Sequence, residues 1–547
     1  MRVRAAPDLY PIDLHSRFVQ TRLLSLVFYA VEPTRGLPSR DSSKDQRSDR
    51  SPSESMPCAP PAFRRTLSLD DRFLSNHRPQ KCVNRIPAMN SLRFPRILRV
   101  FTGLTLATTL ALLGGCLQKH IVWSPDGQRA AIISADGLRL CTADGTLSEQ
   151  LTPGVYRVAW LGDSQRLVVV RERPAADWTD VTRALGTERS QQAVTEAEAV
   201  WSKLQAGALW SAVATDFSRK KALPFFHLRE MHGPQLRAKL TAEEWAVLAA
   251  LEIKRHEVVL LGQQPSPADP AKPIFTDVEM IADLRIAPGE TAVALTVTTD
   301  SGKGDHFRLV VAPLDGSAPA TAVATEVASF PDWTADRRSL VFLQAAGASE
   351  QDFAQLGVLQ QREVLAADGK IALAAKATDL GGALFQAMCR IRCLPDGRIV
   401  FNAAELNLPV AACDLEADRE QLFVLDPTRQ ATLVRLLPRG EKEKLPKMLG
   451  FFEPSSDGKT LLIGGVDGEV CLFTLATGEI VRVQGEAKEM LCQPAWRGPG
   501  EFSYLKPTES PGKAPPSRKF EVVLRQGDKE TVLSKTWPDA VLEGVGK

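Results

Sequence analysis

From about residue 120 onward, short apolar runs are separated by polar turns. Many of these runs lack internal alternation. "AAII" at 130–133, "LVVV" at 167–170, "AVAL" at 292–295 and "TLLI" at 460–463 show no polar face. Such runs predict strands buried on both sides. A tight turn precedes each. In "WSPDG" at 123–127, Pro125 presets φ for the first corner, Asp126 follows and Gly127 closes the turn. Apolar runs flanking such a turn predict a β-hairpin. A lone hairpin is only marginally stable, so the unit should repeat.

It repeats. "WSPDGQRAAII" begins at 123, "WLGDSQRLVVV" at 160, "IAPGETAVALT" at 286 and "WTADRRSLVFL" at 333. "CLPDGRIVFNA" at 393, a looser "FEPSSDGKTLLIGG" at 452 and "WRGPGEFSYLK" at 496 complete the set. Trp123, Trp160, Trp333 and Trp496 share one register, four residues before the closing position of the turn, and Ile286 and Cys393 fill it in two other copies. A further strand often follows, as in "FRLVVAPLDG" or "EVCLFTLATG", and then a more polar one such as "EIVRVQG". Four strands per copy, one of them buried on both faces, predict small sheets stacked radially. The expectation is an all-β chain: a seven-bladed β-propeller over 116–538, with six or eight blades also compatible. Trp123, Pro125, Asp126, Gly127, Trp160, Asp163, Trp333, Asp336, Asp396, Gly397, Asp457, Gly458 and Trp496 are assigned as structural residues of the repeat turn. The recurring Asp suits a turn by bonding its own backbone, and the recurring Trp suits packing between blades.

The W-S-P-D-G hairpins resemble the TolB-like, or WD40-like, propeller repeats of bacterial envelope proteins. The resemblance spans about 120–538. It implies the fold and an envelope setting, and says nothing about chemistry. TolB itself has a separate α/β domain before its propeller, and six blades. Here strand follows Cys116 almost directly, so TolB's partners are not carried over.

The strand pattern stops between Arg171 and Arg255. Residues 173–255 are expected to be a helical insertion in blade two. Val194, Trp201, Leu204 and Ala208 lie near one helical stripe, and Thr241 with Glu244 reads as a capping box before Trp245, Leu248 and Leu251. Phe225, Phe226 and His227, with His232 nearby, suit either a partner surface or packing of the helices onto the propeller.

The first 115 residues read differently. Residues 1–88 are rich in Arg, Ser and Pro, a composition that buries too little apolar surface to fold. They are expected to be disordered or an upstream extension outside the working protein. Residues 89–115 have a basic start at Arg93, Arg96 and Arg99, a short apolar run and the ending Leu113-Gly114-Gly115. That describes a secretory signal. With Cys116 next, it resembles the bacterial lipobox, which implies a lipidated Cys116 as the mature N-terminus and translation from Met89. Leu117 in place of Asp leans towards the outer membrane. Residues 539–547 are expected to be a C-terminal tail. Residues 1–115 carry 18 Lys/Arg and nine Asp/Glu, so the overall charge of +2 leaves −7 on the remainder. An acidic chain is a poor match for nucleic acid.

Catalytic motifs do not stand out. G-x-S-x-G is absent, "TDSGKGDHF" at 299–307 lacks the spacing of a phosphate loop, and histidines at metal spacing do not occur. Cys389 and Cys393, four apart in a strand, would sit about 13 Å apart, too far for a disulfide, whereas Cys413 could meet one of them. The expected function is a lipid-anchored, non-catalytic scaffold, periplasmic or outer-membrane associated. It binds an envelope protein or polymer, with a membrane reached through the lipid, no nucleic acid, no cofactor and no metal. The alternative is a propeller hydrolase or lyase acting on glycan or peptide.

Overall fold

The computed structural model describes residues 119–214, 222–262, 272–299, 306–346, 355–367, 370–385, 389–403, 421–428, 432–436, 445–446, 449–465, 468–483, 491–508 and 519–545. Cys116, Cys413 and the whole of 1–115 lie outside these residues.

The strands form six hydrogen-bonded sheets. The first has three strands, Ile121–Trp123, Arg129–Ser134 and Gly137–Thr142. The second has four, Val155–Trp160, Arg166–Pro174, Lys254–Gly262 and Pro273–Asp277. The third has nine strands and runs from Ile281–Ile286 to Thr378–Phe385. The fourth adds Ser329–Phe330, in parallel, to Cys389–Cys393 and its meander. The fifth starts with Leu449–Pro454 and the sixth with Cys492–Gly498, each with four strands.

Five sheets therefore have four strands or more, and the seven separate blades expected from the seven turns are not present as separate sheets. The cause is local. Thr321–Val327 ends one set of four strands, and Val327 bridges Gln344 in the next, joining both into the nine-stranded sheet. The first sheet lacks a regular fourth strand, and only isolated bridges, Leu138 to Thr152 and Cys141 to Leu147, run along its edge.

All seven repeat turns close on a left-handed residue: Gly127 (φ 67°), Ser164 (55°), Glu290 (54°), Arg337 (66°), Gly397 (88°), Gly458 (67°) and Gly500 (73°). Gly127 needs its hydrogen twice over, because a Cβ there would lie 2.8 Å from the carbonyl oxygen of Arg497. Arg337 is exposed and carries the strain without a compensating side-chain bond. Arg337→Gly should raise stability by about 0.5–1 kcal/mol in urea unfolding, the relief of a left-handed side chain less the added chain entropy of glycine. Asp126, Asp163, Asp336, Asp396 and Asp457 each accept the backbone N–H two residues on, at 2.8–3.1 Å.

Each sheet's leading strand neighbours the next, and the chain closes into a ring. The indoles mark the joints. Trp160 Nε1 donates to the Val122 carbonyl (2.8 Å), Trp333 to that of Arg285 (3.0 Å) and Trp496 to that of Glu453 (3.0 Å). Trp123 Nε1 donates to Ser503 Oγ (2.9 Å), which joins the first sheet to the last. The same closure includes Arg497 Nε to the Gly127 carbonyl (2.9 Å) and Trp537 Nε1 to that of Gly145 (2.8 Å). Asp539–Gly544 is helical, with Val541 and Val545 buried in the core shared by the first and last sheets. Residues 539–545 are thus part of the closure and not a free tail.

Five helices, Trp178–Leu185, Thr187–Gln205, Trp210–Val213, Ala222–Lys239 and Ala242–Ala249, lie between Arg166–Pro174 and Lys254–Gly262. Those two strands pair from Arg166–Gly262 to Pro174–Lys254, so the helices leave from one end of the second sheet. Asp180 pairs with Arg255 (3.3 Å) and Arg189 with Asp277 (3.0 Å), tying helix to sheet. The Thr241–Glu244 capping box is formed. The long helix buries Ala193, Ala197, Trp201 and Leu204, and Val194 lies at the margin of that face.

Phe225, Phe226 and His227 are not a partner surface. Phe225 and Phe226 are each 2% exposed. Phe225 packs with Trp201 and Leu204, and Phe226 with Val181, Leu185, Ile253 and Val278. The His227 ring meets Trp178 edge-on at 4.5 Å. Adjacent residues on a helix point about 100° apart, so the two Phe rings enter different cores of the bundle; the helix kinks further on, at His232, which stacks on Trp201 at 4.4 Å.

Candidate functional site

One register of the repeat gathers charged residues from several sheets. Counting from the position Trp123 occupies, the residue one earlier is Val122, Ala159, Arg285, Asp332, Arg392, Glu453 and Ala495 in the seven copies. Three earlier stand His120, Arg157, Asp283, Phe330, Arg390, Phe451 and Gln493. These positions lie on or directly beside the seven strands that lead into the turns. Residues two apart in a strand share a face, so each charged set is presented together.

The charges meet although they come from different sheets. Lys119 pairs with Glu453, and Asp283 with Arg285 at 3.2 Å. Asp332 Oδ2 accepts the N–H of Cys393 at 2.9 Å, bridging two repeats. Arg392 and Arg285 act on Glu453, and Arg157, Asp283, Arg285 and Arg392 all act on Arg390. The cations Lys119, Arg157, Arg285, Arg390 and Arg392 outnumber the carboxylates Asp283, Asp332 and Glu453.

The excess is uneven. At Arg285 the carboxylates of Asp283, Asp332 and Glu453 outweigh the effect of burial, and its pKa rises. Burial lowers that of Arg157, Arg390 and Arg392, with Arg390 pushed down to about 10 by burial and then by Arg392. Burial would lift Glu453, yet Lys119, Arg392 and Arg285 hold it at about 2. Its partner Lys119 moves down as well, because burial there exceeds the pull of Glu453.

Arg157, Arg390 and Arg392 make no ion pair among the described residues. Arg157 donates to the carbonyls of Ala282 (3.0 Å) and Tyr156 (3.1 Å). Arg390 lies 4.8 Å from the Phe330 ring centroid. Arg392 donates to the Ile391 carbonyl (2.6 Å), is 3% exposed, and keeps a buried Nε without a partner. A buried cation without an ion pair is costly. Arg392 is buried and Arg157 and Arg390 are half-buried; Asp283 acts on all three and Asp332 and Glu453 on Arg392, yet burial still outweighs them.

His120 sits at the same level, its Nδ1 bonded to the Val545 carbonyl and its N–H to Gln493 Oε1 (3.0 Å). Burial holds its pKa at about 4. The sign follows: below pH 6.5 the unfolded chain takes up a proton that the folded chain refuses, so stability falls from pH 6.5 down to about 4. His120→Asn, which keeps an N–H donor, should flatten the Tm–pH curve over that interval. An unchanged slope would contradict the assignment.

A separate groove of about 630 Å³ lies on the nine-stranded sheet, lined by Thr325, Gln344, Gln360, Arg362, Lys376 and Asp379. It follows from the divergence of strands beyond the Val327–Gln344 bridge and lies outside the axial set.

The turn residues stand out in the sequence, and the charged residues before them do not. The signal was available: aligned on the turn, charged residues recur one and three positions before it. Of the assigned residues, the four Trp sit at the joints of the ring and the five Asp at turn tips, each bonded within its own turn, and neighbouring turns touch where the Asp126 N–H donates to Ser164 Oγ (3.1 Å). Cys389 is buried and Cys393 half-buried, and the two are not bonded to each other.

The chain is a β-propeller. No family model and no curated protein matches it. Among solved structures it is similar to TolB from Acinetobacter baumannii, at 12% identity over 50% of this chain and 57% of that one, with a TM-score of 0.30. It is also similar to the Cps50 (Swd1) propeller domain of Myceliophthora thermophila, at 9% identity, 71% and 93% coverage and a TM-score of 0.38. A puromycin hydrolase matches at 16% identity with a TM-score of 0.35, and the match takes in 53% of this chain and 44% of the hydrolase.

Proposed function

We propose that this chain is a lipid-tethered propeller of the cell envelope that works by binding. The observation that carries the binding role is the axis: positively charged side chains from several sheets converge there, with their guanidinium groups short of partners. A rigid ring presenting such a channel is suited to holding a partner chain or polymer. The helical segment offers a second contact area, with Leu209, Met231 and Val247 exposed on it. Cys116 supplies the tether, and the acyl chains keep the ring at the periplasmic or outer-membrane surface. Fold alone does not name a partner.

The test has two parts. Cys116→Ser should move the chain from the membrane fraction to the soluble fraction and abolish palmitate labelling. Crosslinking in intact cells followed by affinity purification should recover one dominant envelope partner with the wild-type chain. Recovery of none would count against the scaffold role.

A hydrolase or lyase remains the second reading. It is favoured by one feature, the carboxylates of Asp283, Asp332 and Glu453 lying among cations in the same channel. Turnover of glycan or peptide substrates that is lost in Asp332→Asn would support it.

A further inference from the structure

We infer that the axial channel is a binding site for an oxyanion ligand, a carboxylate or a phosphate, held by Arg157, Arg390 and Arg392. The inference rests on the leading-strand geometry and depends neither on the lipid anchor nor on a protein partner.

Three observations converge on it. First, the three arginines come from two different sheets, Arg157 from Val155–Trp160 and Arg390 with Arg392 from Cys389–Cys393, yet they act on one another electrostatically. Like charges gathered by a ring are costly to keep unless something negative joins them. Second, the carboxylates make their direct contacts with other groups, Glu453 with Lys119, Asp283 with Arg285 and Asp332 with the Cys393 N–H, and offset the three arginines only in part. Third, Arg392 keeps a buried Nε–H that no described residue accepts. Buried donors of this kind are rare in folded proteins. A guanidinium presents a planar fork that matches a carboxylate or phosphate, and the carbonyl contacts of Arg157 and Arg392 fix two of the forks in place.

Neighbouring groups set the selectivity. Phe330 packs under Arg390 and Phe451 lies 5.9 Å from Lys119, so two sides of the channel are apolar around the charges. His120 is uncharged at neutral pH and adds nothing to the excess. A ligand with two or more negative groups would neutralise the arginines better than a single small anion.

Calorimetric titration of the purified chain with citrate, and separately with inorganic phosphate, at fixed ionic strength tests this. Saturable binding of at least one of them, at one site per chain, is the expected result, and the tighter of the two names the ligand class. Arg390→Gln and Arg157→Gln should each weaken binding tenfold or more. Arg337→Gln, at an exposed turn, should leave it unchanged. Without ligand, Arg390→Met should melt higher than wild type, because it removes an uncompensated charge. No saturable binding with either anion, binding as tight as wild type in both glutamine variants, or a lower Tm for Arg390→Met would overturn the inference. A chain that binds citrate but recovers no partner from cells leaves the channel site standing and removes only the scaffold role.

Discussion

Trp537→Ala should destabilise the ring by about 3–5 kcal/mol, the range for truncating a buried aromatic. Trp537 is 5% exposed and packs with residues of both terminal sheets, among them Trp123, Ile132, Leu533 and Val541. Its indole also donates to the Gly145 carbonyl, a bond that spans nearly the whole described chain. The first and last sheets do not exchange a strand, so closure depends on side chains and on the terminal helix. Total stability of a folded protein is about 5–15 kcal/mol, so this loss is a large share of it. Urea unfolding followed by far-UV circular dichroism gives the number. A loss below about 1 kcal/mol would mean that closure resides elsewhere.

Glu453→Gln should cost about 2 kcal/mol. Removing one partner of a fully buried pair costs about 3–5 kcal/mol, and partial solvent access reduces that. The Glu453 and Lys119 side chains are 20% and 29% exposed. The amide keeps the shape but leaves Lys119, Arg285 and Arg392 facing one another. Adding Lys119→Met should recover most of the loss. The pH response has a defined sign. Glu453 is held at about 2 against an ordinary 4.5, so its contribution is complete above about pH 4.5 and disappears as pH falls towards 2. The variant should lack that segment of the acid-unfolding curve. A variant with wild-type stability and wild-type acid unfolding would contradict the ion pair.

Much of the fold was legible because turns obey local rules. Trp, Pro, Asp and Gly at fixed offsets announce a hairpin wherever they occur, and the uniform left-handed closing residue shows why even Ser164, Glu290 and Arg337 fit the same frame. Other features were not local. Nothing in "VATEVASF" signals that Val327 would bridge Gln344 and fuse two sets of strands. Residues 539–547 read as a tail because they follow the last repeat and are few, yet Val541 and Val545 are buried in a core between the first and last sheets. Phe225 and Phe226 suited either role in sequence, since only the bundle determines that adjacent rings enter opposite cores.

The channel was legible in part. Arg285, Asp332, Arg392 and Glu453 share one register position, and Arg157, Asp283 and Arg390 another. Sequence alone does not show that these positions converge, because convergence requires the ring to close. It also hides which arginines are left without carboxylates, since pairing is decided across sheets.

The most direct test of the channel is the coupling free energy between Arg157 and Arg390. These residues are far apart in sequence, on different sheets, and should repel each other across the axis. Arg157→Gln, Arg390→Gln and the double variant, compared by urea unfolding, complete the cycle. The stabilising effects should be less than additive by about 0.5–1 kcal/mol, within the range for neighbouring charged residues, and the difference should shrink as salt is raised. Strict additivity at low salt would mean that the two side chains do not share a channel.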